Sequence, residues 1–189
     1  MTEDAAYQAT TLGGAYAHIE RLPVTILLDN VRSLYNVGAF FRTADAVRAE
    51  QIVLAGISPT PADPRIAKTA LGAERSVPWT TVTAAGAAID DLRRRGREIA
   101  AIETSLHAVD VLDWQPAFPV CVVFGHEVDG LPQDLLDRCD IHVRIPTLGS
   151  KRSLNVATAG GVVLYELLRK YRDLGRPVRA TGSEDPAST

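Results

Sequence analysis

A chain of 189 residues, 46% hydrophobic and 23% charged, has the length and balance of one ordinary globular domain with enough apolar mass for a real core. Its formal net charge of −3 excludes nucleic-acid binding by overall basicity, so any such role needs a local basic patch or the combined surface of a dimer. No apolar run reaches bilayer length, the first twenty residues lack lysine and arginine, and Cys121 and Cys139 form no CxxC or zinc-spaced set, so the expectation is a cytoplasmic, metal-free protein without signal peptide or membrane span.

Residues 1–22 read as a short N-terminal extension, with one short helix around Ala15 to Glu20. A single domain follows over 23–174. VTILLD (24–29) is its first buried strand, and the apolar stripe Val37, Phe40, Phe41, Ala44 and Val47 predicts a helix over Asn36 to Arg48. QIVLAG (51–56) is a second strand and TTVT (80–83) a weaker one. AAGAAIDDLRRRG (84–96) reads as a helix ending in a basic run and a glycine stop. REIAAIE (97–103), VCVVFG (120–125) and DIHVRIP (140–146) are further strands. A long final helix places Val156, Ala159, Gly160, Val163, Leu164, Leu167, Leu168 and Tyr171 on one face, with Glu166, Arg169, Lys170 and Asp173 opposite. The tail, 175–189, has the Gly, Pro and Ser content of a disordered end. Strands apolar throughout and alternating with helices predict an α/β fold, a mostly parallel sheet covered by helices.

In such sheets ligands bind beyond the carboxyl ends of the strands, which directs attention to three strand-to-loop junctions. The first is LLDNVRSLYNVGAFFRTADA. Asn36 is a candidate helix cap, Gly38 leaves room for something to approach the first turn, and Arg42 is either a solvated or salt-bridged arginine, with Asp45 in reach, or a functional cation. The second is VVFGHEVDGLP, where Glu127 lies between Gly125 and Gly130 in a turn. His126 is a candidate base there, but no G-x-S-x-G nucleophile accompanies it. The third is IPTLGSKRSLNVATAGG, in which Ser153 is a candidate cap. Gly160 and Gly161 sit inside the helix, each about 1 kcal/mol worse than alanine, so close approach of another backbone is expected to compensate.

In this order and at these separations the three stretches resemble the motifs of the SpoU/TrmH family of RNA 2′-O-ribose methyltransferases, part of the SPOUT superfamily. The matching cores are N-x-G-x-x-x-R (Asn36, Gly38, Arg42), G-x-E-x-x-G (Gly125, Glu127, Gly130) and P-x-x-G-x-x-x-S-L-N (Pro146, Gly149, Ser153, Leu154, Asn155), and the resemblance runs over about 24–172. One departure is His126, where the family usually has asparagine.

The resemblance implies a C-terminal deep trefoil knot, a homodimer, and S-adenosyl-L-methionine as cofactor, held by Thr104, Gly125, Ile145, Leu148, Gly149, Ser153 and Leu154. It implies methyl transfer to a ribose 2′-hydroxyl of tRNA or rRNA, with tRNA favoured because the extensions are short. Arg42, Asn36, Glu127, Ser153 and Asn155 become the catalytic candidates, and Arg65, Lys68, Arg75, Lys151 and Arg152 the candidate phosphate contacts. The alternative is a catalytically inactive SPOUT-fold module that binds RNA. A Rossmann dehydrogenase is disfavoured, since DNVRSLYNVG is a poor phosphate-binding fingerprint.

Overall fold

The computed structural model describes residues 19–174; the tail and residues 15–18 of the expected N-terminal helix lie outside that range. Among these residues, seven strands form one sheet: β1 (Leu22–Asp29), β2 (Ala49–Ala55), β3 (Trp79–Val82), β4 (Glu98–Ile102), β5 (Val109–Asp110), β6 (Val120–Phe124) and β7 (Ile141–Arg144). Their order is β3-β2-β1-β6-β4-β7-β5, and all neighbours run parallel. Every expected strand is present. The two-residue β5 is too short for any sequence period to announce.

Among the described residues six helices cover the sheet: α1 (Leu34–Ala46), α2 (Ala67–Ala70), α3 (Ala73–Ser76), α4 (Ala85–Arg94), α5 (Gln133–Leu136) and α6 (Val156–Leu174). None is long and apolar enough to cross a membrane among the described residues. The two-residue period of a strand divides the core. From β1, Val24, Ile26 and Leu28 point toward α1 and α6, where Phe40, Phe41, Val163, Leu164 and Leu167 close the larger cluster. Leu27 points the other way, with Val53, Ile99, Cys121 and Val123, onto Ile89, Leu92 and Leu135 of α4 and α5.

Helices α1 and α6 are not capped by the residues expected to cap them. Ser33, not Asn36, caps α1: its Oγ accepts the Asn36 amide at 3.3 Å, so the helix starts two residues early and the Asn36 side chain is left for other work. Asn155, not Ser153, caps α6, with Oδ1 accepting the amides of Ala157 (2.9 Å) and Thr158 (3.2 Å). At the glycines, the close neighbour is not always backbone. A methyl at Gly38 would strike Thr69 and the Ile66 carbonyl of the α2 region, whereas one at Gly160 would lie 2.2 Å from the Phe40 ring. Gly161 faces open space. Thus side-chain packing of α6 on α1 accounts for Gly160, and nothing among the described residues accounts for Gly161.

Lys170 also departs from its expected exposed face. It is buried, and Nζ donates to the carbonyls of Val111 (2.7 Å), Leu112 (3.2 Å) and Trp114, with Glu166 at 3.4 Å. A long aliphatic stem can cross an apolar layer when carbonyls wait at its end. These bonds tie α6 to the segment after β5. Lys170→Met keeps the stem but leaves three carbonyls without that donor, and urea denaturation should show a loss of about 1–3 kcal/mol.

Candidate functional site

The loops after β4, β6 and β7 converge on a cavity of about 420 Å³ at the carboxyl end of the sheet. Glu103, Thr104 and Ser105 come from the first loop, residues 125–131 from the second, and Ile145, Thr147, Arg152, Ser153 and Leu154 from the third. Of the seven cofactor candidates, Thr104, Gly125, Ile145, Ser153 and Leu154 line it. Leu148 and Gly149 do not, and Leu148 is fully exposed.

The second loop has a tight form. His126 and Gly130 exchange backbone hydrogen bonds at 3.1 and 3.0 Å, closing the turn over Gly125. A Cβ on Gly125 would lie 2.4 Å from the Gly130 carbonyl and 2.6 Å from the Leu131 nitrogen, so only glycine fits. Gly130 has a φ of +68°, in the left-handed region that favours glycine. Glu103 secures the same loop from β4: its carboxylate accepts the amides of Thr104 (2.8 Å) and Leu131 (3.3 Å). Sequence reasoning passed over Glu103. The signal was an acidic residue directly after the apolar run IAAI (99–102) of β4.

One chain of hydrogen bonds joins all three motifs. Asn155 Nδ2 donates to Asn36 Oδ1 at 3.2 Å, and Asn36 Nδ2 donates to Glu127 Oε1 at 3.0 Å. Glu127 Oε1 also accepts the Ser33 amide at 2.9 Å, and Oε2 the Arg32 amide at 3.1 Å. Each amide is fixed in orientation by its neighbours, because Asn155 Oδ1 is already committed to the α6 amides.

Partial burial pushes the Glu127 carboxyl pKa upward, but the hydrogen bonds from Ser33, Asn36 and Arg32 together outweigh it and hold the group below its ordinary value. The ionised form is therefore the one the fold prefers, and its contribution is present above the ordinary carboxylate range. It is lost as pH falls through the lowered folded value. Glu127→Gln would turn an NH₂ toward one of three donors. At neutral pH the variant should melt slightly lower, by about 1 kcal/mol or less given solvent screening, and the difference should vanish in acid.

Arg42 stands apart from this chain. It is exposed on α1, does not line the cavity, and its guanidinium has no hydrogen bond or ion pair with any described residue. The Asp45 carboxylate, the partner considered for it, accepts from Ser76 of α3 instead. Glu127 reaches Asn36 and the loop backbone rather than Arg42.

The candidate phosphate contacts are dispersed. Arg65 is paired with Asp63 through Nη2 at 2.6 Å, and its hydrogen bonds bring the Asp63 carboxyl down to about 2. Arg75 lies 3.6 Å from Glu74, and Lys68 is exposed on α2. Lys151 is exposed on the third loop, and Arg152 lines the cavity.

Comparison with known proteins fits this geometry. A putative TrmH family tRNA/rRNA methyltransferase of Staphylococcus haemolyticus is 31% identical over 156 residues, covering 82% of this chain and 62% of the relative's length. The chain thus spans less than two thirds of that relative. The SpoU methyltransferase AviRb of Streptomyces viridochromogenes, solved with AdoMet, superposes with a TM-score of 0.71 at 31% identity over 79% of this chain and 60% of AviRb. A structure described for 2-OH methylation of C/U34 on tRNA superposes with a TM-score of 0.72 at 27% identity, over 81% of this chain and 97% of its own. Residues 23–165, which span all three linked motifs, match the sequence profile of the SpoU rRNA Methylase family, and the chain belongs to that family.

Proposed function

We propose that this protein is an S-adenosylmethionine-dependent RNA methyltransferase acting on a ribose 2′-hydroxyl, with tRNA favoured over rRNA. The observation that carries the reading is the Asn155–Asn36–Glu127 chain, which binds three distant motifs together at the edge of one cavity. An inactive RNA-binding module would have no need of it. Support for tRNA comes from the tRNA-methylating relative, which is matched along nearly its whole length.

The cavity fits the cofactor in size and chemistry. Its volume is within the range of about 300–1,000 Å³ usual for such ligands. Its lining mixes apolar Ile102, Leu136, Ile145 and Leu154 with polar Thr104, Ser105 and Ser153 and charged Glu103 and Arg152, a composition suited to an amphoteric nucleoside. Thr104, Gly125, Ile145, Ser153 and Leu154 would hold it, with Leu148 and Gly149 on the loop that continues from them. When bound there, S-adenosylmethionine supplies an electrophilic methyl on a sulfonium.

The protein's own task is to prepare the ribose oxygen. Arg42 stabilises the negative charge that grows on the 2′-oxygen as its proton leaves, and grips the adjoining phosphate with its planar fork. Guanidinium groups keep their proton under ordinary conditions, so stabilisation and positioning suit Arg42 better than proton abstraction. Asn36 and Asn155 are fixed in orientation and available at the cavity's edge, with Ser153, to position the ribose.

Arg42 lies outside the cavity of its own chain, so the reading includes a homodimer that can present α1 to a partner's cavity. Exposed Val162 and Tyr165 beside the open Gly161 on α6 support such an interface. It also includes a C-terminal deep trefoil knot, supported by the convergence of the β4, β6 and β7 loops, and a cytoplasmic setting. Arg65, Lys68, Arg75, Lys151 and Arg152 are proposed phosphate contacts, with Lys151 and Arg152 the best placed. The test is incubation with labelled S-adenosylmethionine and unmodified tRNA or rRNA. Label should enter tRNA; none in either RNA, despite measured cofactor binding, would refute the reading.

A further inference from the structure

The His126 imidazole lines the cavity, and one of its nitrogens is asked to do two incompatible things. Nδ1 lies 3.3 Å from the amide nitrogen of Val128 and 3.2 Å from that of Asp129, positioned to accept both hydrogens. The same Nδ1 is 3.0 Å from Asp129 Oδ2. Accepting the amides requires a lone pair at Nδ1, whereas bonding to the carboxylate requires a proton there. Asp129 is largely exposed and can turn to water, but the amides belong to a closed turn.

That turn matters because Glu127 projects from it to hold Asn36 and the loop before α1. The other charged groups facing the turn are Glu103 at the end of β4 and Arg144 and Arg152 across the cavity. Among these side-chain types only imidazole ordinarily changes charge between about pH 5 and 8. We propose that His126 is a proton-sensitive positioning residue: with Nδ1 unprotonated it holds the 125–130 turn closed, and protonation transfers Nδ1 to Asp129 and loosens the cavity. The ligand of that cavity follows from the function proposed above; the proton switch itself follows from the three distances.

Two readouts separate those parts. In nitrogen-15 NMR of the histidine ring at about pH 8, the hydrogen should reside on Nε2, and the Val128 and Asp129 amide signals should shift together with ring protonation as pH falls. A hydrogen on Nδ1 at that pH, or amides indifferent to the titration, overturns the proposal whether or not any cofactor binds. Calorimetry with S-adenosylmethionine then reads the consequence. Wild-type affinity should fall about five- to tenfold in acid, as expected for two lost hydrogen bonds. In His126→Asn, an amide oxygen can accept the same amides and does not titrate, so its affinity should change by less than about twofold over that range. His126→Ala should bind weakly at both ends. An Asn variant that keeps the wild-type pH dependence also overturns the proposal. The expected NMR behaviour without binding at any pH supports the switch and overturns only the cofactor assignment.

Discussion

Arg42→Ala should lower methyl transfer to RNA by about two to three powers of ten while leaving S-adenosylmethionine affinity nearly unchanged. Both halves follow from where Arg42 lies. It is exposed on α1 and outside the cavity lining, so removing it takes nothing from the cofactor's walls. Its side chain has no intramolecular hydrogen bond or ion pair among the described residues, so the fold should lose little either. What disappears is the cation proposed to meet the developing oxyanion and the adjoining phosphate. Arg42→Lys keeps the charge without the planar fork and should fall between the two. Single-turnover rates beside calorimetric affinities check the prediction; near-wild-type turnover in the alanine variant would remove Arg42 from the mechanism.

The opposite pattern is expected at Gly125. A methyl there would sit 2.4 Å from the Gly130 carbonyl and 2.6 Å from the Leu131 nitrogen, atoms of backbone that the His126–Gly130 pairing holds in place. No side chain can swing away to relieve the contact. The turn must open, and with it the wall of the cavity. Overpacking of this kind costs about 1–3 kcal/mol, so Gly125→Ala should weaken S-adenosylmethionine binding roughly ten- to a hundredfold. Calorimetry on the folded variant measures it. Circular dichroism should retain the secondary structure, because the sheet's core residues lie on the strand side of Gly125.

The apolar runs were sufficient to place six strands and the three long helices, because buried parallel strands and amphipathic helices leave strong periodic signals. They could not give the sheet order, which depends on contacts between segments far apart. Short elements escaped for a different reason: four-residue α2, α3 and α5 complete hardly one turn and have no period. The caps show the limit most clearly. Asn36 and Ser153 were plausible caps by type, yet Ser33 and Asn155 take those places, freeing Asn36 to join Asn155 and Glu127. The three motifs were visible as separate strings. Their physical connection was not, since it spans 119 residues of separation. Lys170 failed the helical-face rule because carbonyls after β5 receive its ammonium inside the protein, a partner that no local pattern encodes.

Alkaline hydrolysis of RNA labelled with methyl-tritiated S-adenosylmethionine separates ribose methylation from base methylation. Alkali cleaves a phosphodiester through attack by the neighbouring 2′-oxygen, so a methylated ribose leaves its linkage intact. With ribose 2′-O-methylation, the label should appear in alkali-resistant dinucleotides. Label released entirely in mononucleotides would mean that a base is methylated, and would contradict the ribose reaction and the role assigned to Arg42.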